Sequence, residues 1–328
     1  MRLLTPVAIA AVISCSATPV ALAARAGSQL GFAVDAIGFR SYFVFNARPG
    51  ASVHGTLRVV SLTAGAKTVL VRPVDVSTAA AGGLQYGDHG PVGNGRWLTL
   101  GRRSVRVSGT GSARVPFTVR VPSGAGTGDH FMGITAVDRR VLAEHPSGHG
   151  AIRLRLIPRL AMTLELRLPG RHRSGLALGG VKVQVAPSGA SLTFGISNPQ
   201  NTLIPSTIGS VTVWQGGTPL FSRDIELASF VPRTAISYHV PWEGTPVQGT
   251  YRVTGELRPV GAPAIEFART VTFGSSAIRQ FRAQTGRSAR QTSSIPIVLI
   301  VALALALAAA VALGVAYTTA RRQIRRGV

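Results

Sequence analysis

The sequence predicts an all-β protein of antiparallel sandwiches followed by a single C-terminal transmembrane helix, and three observations lead to this prediction. Between residues 29 and 274 one strand-like run follows another, with alternating apolar and polar side chains and almost no helical period. Clusters of Gly, Pro and Ser separate these runs at short intervals. A third feature differs from everything before it: residues 295–317 carry no charge.

The first set of strands lies in residues 29–160. Its runs are rich in β-branched residues and cover residues 56–61, 67–76, 104–108, 114–121 and 151–157. Turn-forming clusters lie between them, for example at residues 48–50, 63–65 and 122–126. Short strands at this spacing are typical of an immunoglobulin-like sandwich, and we predict one at residues 29–160.

A second immunoglobulin-like sandwich is predicted in tandem with the first, at residues 176–274. The strand-like runs resume after Pro169 and Gly170, and they cover residues 181–185, 191–197, 208–214, 235–240, 250–257 and 265–273. We place the boundary in residues 159–176, where arginines crowd together.

The first residues are typical of a secretory signal peptide. A single Arg2 precedes an apolar stretch that is too short to cross a membrane, and Ala21-Leu22-Ala23 has the form of a cleavage site. We therefore predict a signal peptide at residues 1–23 and export of the body of the chain. An alternative is a lipoprotein signal in which Cys15 is acylated.

The C-terminal end predicts a membrane anchor. Residues 275–294 are rich in Ser, Arg and Gln and predict a basic stalk. Residues 295–317 would span roughly 34 Å as a helix, enough for a hydrocarbon core of about 30 Å. Residues 318–328 form a basic cytoplasmic tail, whose membrane-flanking cations are Arg321, Arg322, Arg325 and Arg326. The predicted localisation is the plasma membrane, single-pass, with the body extracellular.

Composition narrows the possible functions. The chain has 35 Lys and Arg against 12 Asp and Glu, a net charge of +23, which either attracts polyanions or only serves solubility. Cys15 is the single cysteine, so the mature chain has no disulfide and no thiolate chemistry. The few acids are scattered, and no phosphate-binding loop, dinucleotide motif or nucleic-acid motif occurs. We predict no enzyme activity, no cofactor and no nucleic-acid partner.

The first sandwich resembles the WxL-interacting protein family. The order of short motifs carries the resemblance: Tyr42-Phe43, Arg48-Pro49-Gly50, Asp75-Val76-Ser77-Thr78, Gly82-Gly83-Leu84-Gln85-Tyr86, Trp97-Leu98, Arg114-Val115-Pro116-Phe117-Thr118-Val119, Val121-Pro122, and Gly128-Asp129-His130-Phe131-Met132-Gly133-Ile134. The likeness is to the N-terminal peptidoglycan-binding domain of actinobacterial members and covers roughly residues 30–160. It implies a non-catalytic surface protein that binds peptidoglycan or an anionic wall polymer and tethers it to the membrane.

A second functional class is a membrane-anchored interaction subunit that binds another exported surface protein. Both classes need surface residues rather than a catalytic centre. The candidate ligand-binding residues are Tyr86, Trp97, Trp242, Arg102 and Arg103, because rings stack on sugar faces and guanidinium groups contact anions. We read Trp214 as a core residue, since it follows an apolar strand.

Two polar motifs contain residue types that are used in catalysis or metal binding, but their spacing and neighbours argue against both functions. Asp129 and His130 are adjacent on a predicted strand, so their side chains should point to opposite faces rather than form a dyad. His145 and His149 are four apart, but Pro146 and Gly148 exclude an ordinary helix. We therefore predict neither a catalytic residue nor a metal site.

Overall fold

The computed structural model describes residues 31–143 and 157–285. The described chain divides into two compact units. The larger contains residues 31–183, 192–240 and 250–271, and the smaller contains residues 184–191, 241–249 and 272–285. Nearly all regular structure is β-strand, which confirms the predicted all-β sandwich fold.

Two sheets are built from the first set of strands. The four-stranded sheet has the order β1 (Phe32–Ala36), β3 (Ser52–Ser61), β8 (Ser112–Arg120) and β6 (Leu98–Leu100). The six-stranded sheet has the order β2 (Phe43–Asn46), β10 (Leu160–Leu168), β9 (Gly128–Asp138), β4 (Lys67–Thr78) and β5 (Leu84–Tyr86), and β7 (Ser104–Val107) also pairs with β4. Within these two sheets β2 pairs with β10 in parallel, and the neighbouring strands otherwise pair antiparallel.

The core of this sandwich follows from strand alternation. In β8, Val115, Phe117 and Val119 are buried, while Arg114 and Arg120 on the opposite face are exposed. Phe117 meets the ring of Phe43 edge-on at 4.8 Å, within a cluster of phenylalanines that also includes Phe39 and Phe45. Alternation of this kind is what the sequence pattern predicted.

Strand β9 departs from alternation, since all eleven of its residues are buried. One face, with Met132 and Ile134, belongs to the sandwich core. On the other face Phe131 packs in a separate apolar cluster with Val76 and Val231. Tyr86 lies over this face, because a Cβ at Gly133 would stand 2.8 Å from its ring.

Two further sheets contain the second set of strands. One has the order β11 (Ala177–Ala186), β12 (Gly189–Asn198) and β15 (Thr234–Pro241). The other has the order β14 (Thr218–Leu227), β13 (Thr207–Gln215), β16 (Gly249–Pro259) and β17 (Ile265–Phe273). Strand β12 alternates strictly, with Leu192, Phe194 and Ile196 buried between half-buried Ser, Thr and Gly.

Loops of the two sets of strands are joined by hydrogen bonds within the larger unit. Asn201 donates from its side chain to the Thr127 carbonyl oxygen at 3.2 Å, and its own carbonyl oxygen accepts from the Asp129 N–H at 2.8 Å. Leu203 N–H donates to the Asp129 carboxylate at 2.9 Å. Gly128 allows this approach, because a Cβ there would lie 2.2 Å from the Asn201 carbonyl oxygen.

The segment predicted to hold the boundary between the sandwiches contains a strand. β10 lies within residues 159–176 and pairs with both β9 and β2. Its core-facing residues Met162, Leu164 and Leu166 belong to the first core. The regular structure of the first pair of sheets therefore runs to Leu168, and the domain limits at 29–160 and 176–274 stay a prediction.

Two helices complete the described structure, α1 (Arg139–Ala143) and α2 (Ser275–Thr285). Within residues 31–143 and 157–285 no helix is both long enough and apolar enough to span a membrane. The predicted signal peptide, transmembrane segment 295–317 and cytoplasmic tail lie outside the described residues, as do His145 and His149.

The contact between Tyr86 and Gly133 predicts the effect of one substitution. Gly133→Ala places a methyl group against the Tyr86 ring and 3.2 Å from Val74 Cγ2. We expect a loss of about 1–3 kcal/mol in the free energy of unfolding, because overpacking displaces buried neighbours. Chemical denaturation measures this loss. Gly65→Ala is the control, since a Cβ there has open space, and equal stability of the two variants would contradict the assigned packing.

Candidate functional site

The edges of the sheets differ in how they are protected against another strand. The edges of the first pair of sheets are short, with three to five residues in β1, β2, β5, β6 and β7. Two longer edges carry exposed charges, namely Arg223, Asp224 and Glu226 on β14, and Glu266 and Arg269 on β17. Strand β15 carries His239 and ends at Pro241. Short length, charge and proline all discourage edge-to-edge pairing.

Strand β11 is a long edge with little of this protection. We define the β11 edge as residues 177–183, the part of the strand in the larger unit. Its only charged residue is Lys182, and none of its residues is fully buried. Leu178, Val181 and Val183 are half-buried although they are aliphatic. At Gly180 a Cβ would meet nothing within 4 Å, so the surface beside it is open.

Tyr86 and Trp97, both predicted ligand contacts, lie in the first pair of sheets and are engaged by the protein itself. The Tyr86 hydroxyl forms a 2.6 Å hydrogen bond with Thr163 Oγ1, and burial raises its pKa. Trp97 ends a 3₁₀ turn (Asn94–Trp97), packs against the core and lies 4.9 Å from the His130 ring.

The loop that leads to Trp97 is held by Asp75. Its carboxylate accepts hydrogen bonds from the backbone N–H groups of Val92, Gly93 and Gly95 at 2.6, 2.9 and 2.8 Å. Burial raises the pKa of Asp75, but these three donors together outweigh it and the net shift is downward. The carboxylate therefore has a structural role in positioning Trp97.

The remaining predicted contacts are dispersed. Trp242 belongs to the smaller unit, where its half-buried ring meets Phe273 edge-on at 4.7 Å. Arg102 and Arg103 are exposed between β6 and β7. Arg321, Arg322, Arg325 and Arg326 lie outside the described residues. Tyr86 and Trp97 lie in one sandwich of the larger unit, Trp242 belongs to the smaller unit, and ligand binding by these residues stays a prediction.

The sequence analysis placed Trp214 in the core, but the structure places it on the outer face of its sheet. Val211 and Val213 of β13 are fully buried, so the alternation places Trp214 on the outer face, where it is half-buried. A β-bulge at this position shifts the pairing with β14. Trp214 lines a pocket of about 550 Å³ together with Arg252, and its indole N–H donates to Thr254 Oγ1 at 2.9 Å. The spacing from Val211 and Val213 was the signal that could have revealed it.

The adjacent Asp129 and His130 do not form a dyad, in agreement with the predicted alternation. His130 Nε2 bonds to the Gly126 carbonyl oxygen at 2.7 Å, while Asp129 accepts from Leu203. Burial lowers the pKa of His130, and the hydrogen bond to Gly126 offsets only part of this shift. Within the described residues no group of three or more His, Cys, Asp or Glu side chains could hold a metal ion.

Comparison with known proteins gives no family. No family model matches the chain, and no curated protein matches it. Solved structures with a similar arrangement include fimbrial chaperones and their complexes. Examples are the E. coli chaperone DraB (16% identity, 74% of this chain and 97% of that chain, TM-score 0.33) and the CsuC–CsuE chaperone–tip adhesion subunit complex of Acinetobacter baumannii (7%, 74% and 98%, TM-score 0.38). A third is the Salmonella enterica SafA pilin in complex with the SafB chaperone, at 13% identity over 74% of this chain and 97% of that chain, with a TM-score of 0.33. At these TM-scores the likeness assigns neither a family nor a function to this chain.

The resemblance to the WxL-interacting family is wrong. No family model matches, and the solved structures reported above are of fimbrial chaperones, alone or in complex with a subunit. The structure supplies the physical reason: most of the motifs that carried the resemblance are turns and buried strand positions. Phe117, Met132 and Ile134, for example, serve the core, and any sandwich of this kind needs such residues.

The function and the localisation predicted from the sequence are corrected as well. The prediction of a wall-binding protein that tethers peptidoglycan or an anionic polymer to the membrane is contradicted: no family model or curated protein supports it, and the solved structures reported above are of chaperones, alone or with a subunit. The single-pass plasma-membrane prediction is likewise contradicted by these structures of chaperones, and its predicted span, residues 295–317, lies outside the described residues. The prediction of a non-enzymatic protein agrees with the comparison.

The lowered pKa of His130 predicts how stability depends on pH. Below the ordinary value of 6.5 the unfolded chain takes up a proton that the folded chain does not, so unfolding becomes easier as the pH falls. The effect levels off once the pH lies below the folded-state pKa. We expect His130→Gln to flatten this dependence in chemical denaturation between about pH 7 and about pH 5. The exposed His54→Gln serves as control, and an unchanged slope in His130→Gln would contradict the assignment.

Proposed function

We propose that this chain is a non-enzymatic interaction subunit that binds another exported protein and receives an extended segment of it at the β11 edge. The observation that carries the proposal is the contrast between this edge and the two charged long edges, β14 and β17. β14 carries three exposed charges and β17 carries two, whereas the β11 edge has only Lys182. Unpaired backbone groups along such an edge are a template for another strand.

The side chains of the β11 edge set the chemistry of the partner. Val181 and Val183 point to one face and are half-buried, so apolar residues on the added strand would cover them. Lys182 points to the opposite face and is exposed. An acidic side chain beside it is favoured, and the net charge of +23 steers acidic partners in general. The partner segment is therefore extended, alternates apolar and polar residues, and carries an acid.

The proposed role also uses the predicted domain organisation. Two immunoglobulin-like sandwiches, at residues 29–160 and 176–274, act in tandem, and a signal peptide at residues 1–23 exports them to the partner's compartment. Arg102 and Arg103 are exposed and add positive charge for an acidic partner. Complexes of a chaperone with a pilin and with a tip adhesion subunit, among the solved structures above, are pairings of this class.

Site-specific photo-cross-linking tests the proposal in the producing cell. A benzophenone side chain replaces the exposed Ala177 at the start of the β11 edge in the full chain, so that Lys182 is kept, and mass spectrometry identifies the cross-linked peptide. We expect one extended, acid-containing segment of another exported protein. The same group at Ala268, an exposed position on the charged edge β17, is the control and should give no such product.

A blocking substitution makes the result specific to strand addition. Gly180→Lys puts a charge on the β11 edge at a position where a Cβ meets no atom within 4 Å, so folding is retained. The cross-link from residue 177 should fall at least about tenfold, while Ala268→Lys leaves it unchanged. Cross-links that persist in Gly180→Lys, or that reach only wall polymer, would refute strand addition at β11.

A further inference from the structure

The outer face of the six-stranded sheet carries another pocket, of about 330 Å³, beside the start of β10. Its polar lining comes from Arg72, Thr135 and Arg159, with Asp88 also present. Its apolar lining comes from Val137, Leu142 and Ile157. Positive charge, a hydroxyl and an aliphatic wall thus share one small cavity.

The hydroxyl of Thr135 lacks a partner. Thr135 is 2% exposed, and its Oγ1 has no hydrogen-bond partner within the described part of the chain. Buried polar atoms in folded proteins are nearly always hydrogen-bonded. Because Thr135 lines the pocket, an atom that enters the pocket can supply the missing bond.

The charges of the pocket leave one cation uncompensated. Arg159 donates to the carbonyl oxygens of Tyr86 at 3.0 Å and Gly87 at 3.2 Å, and it forms an ion pair with Asp88. Arg72 forms no ion pair in residues 31–143 and 157–285, and it lies directly across from Thr135 in the pairing of β4 with β9. Directly opposed residues share a face, so the guanidinium group and the unpartnered hydroxyl are neighbours.

We propose that this pocket binds a carboxylate carried on an aliphatic chain. The carboxylate accepts hydrogen bonds from Thr135 Oγ1–H and from the Arg72 guanidinium, and the aliphatic part packs on Val137, Leu142 and Ile157. Asp88 disfavours anions of higher charge, such as phosphate. The site is independent of the β11 edge, so it does not depend on the proposed function.

Titration of the full chain with hexanoate tests the assignment. Methyl resonances of Val137, Ile157 and Thr135 report occupancy of the pocket by NMR. We expect these signals to shift with hexanoate and to shift at least about tenfold less readily with hexanamide, which has the same shape without the charge.

Two variants separate ligand binding from a structural role. Thr135→Val keeps the shape of the side chain and removes the unpartnered hydroxyl, so the melting temperature should not fall while hexanoate affinity falls at least about tenfold. Arg72→Gln should weaken binding similarly, whereas Arg120→Gln, exposed on the other sheet, should not. Equal hexanoate affinity in the wild type and Thr135→Val would overturn the proposal and leave a water molecule as the partner of the hydroxyl. Absence of methyl shifts in the wild type would also overturn it.

Discussion

Burial of β9 on both faces is the constraint on which the first sandwich depends. One face of this strand fills the space between the two sheets, and the other is covered by Tyr86 and by the cluster of Phe131, Val76 and Val231. A polar side chain on such a strand is removed from bulk water, so it is favoured when the protein supplies a hydrogen-bond partner. Asp129 and His130 obtain theirs from Leu203 and Gly126, and Thr135 obtains none within the described residues.

The hydrogen bonds between the two sets of strands also depend on β9. β9 begins at Gly128, where the absence of a side chain lets the backbone of Asn201 approach. Asn201 then bonds to Thr127 and Asp129, and Val231 donates to Thr78 Oγ1 at 2.9 Å. Apolar packing and backbone hydrogen bonds therefore act at one place, which is why Phe131 is buried although it faces away from the first core.

Sequence reasoning recovered the fold class because alternation is a local property. The period of β8 or β12 is visible in a few residues, and the turns between strands use Gly and Pro. Sequence reasoning could not predict that both faces of β9 are buried, because the residues that cover its outer face come from distant segments of the chain. It also assigned Trp214 by the apolar run before it, although the buried Val211 and Val213 already set its face. The β11 edge was invisible for a different reason: whether a strand lies at an edge depends on sheet order, which no local pattern encodes.

The parallel pairing of β2 with β10 sets the order in which the chain can complete its first sandwich. Phe43 lies opposite Leu164, so the pairing joins segments from nearly opposite ends of the first set of strands. A nascent chain that ends before β10 has no partner for β2, and the core-facing residues Leu164, Leu166 and Leu168 are still missing. Closure of this sheet is thus a late, long-range event, and such contacts form slowly because a large loop must first be ordered. Until then the backbone groups of β2 lack their partner strand in this sheet, and a chain with such an unpaired edge is prone to aggregate during synthesis.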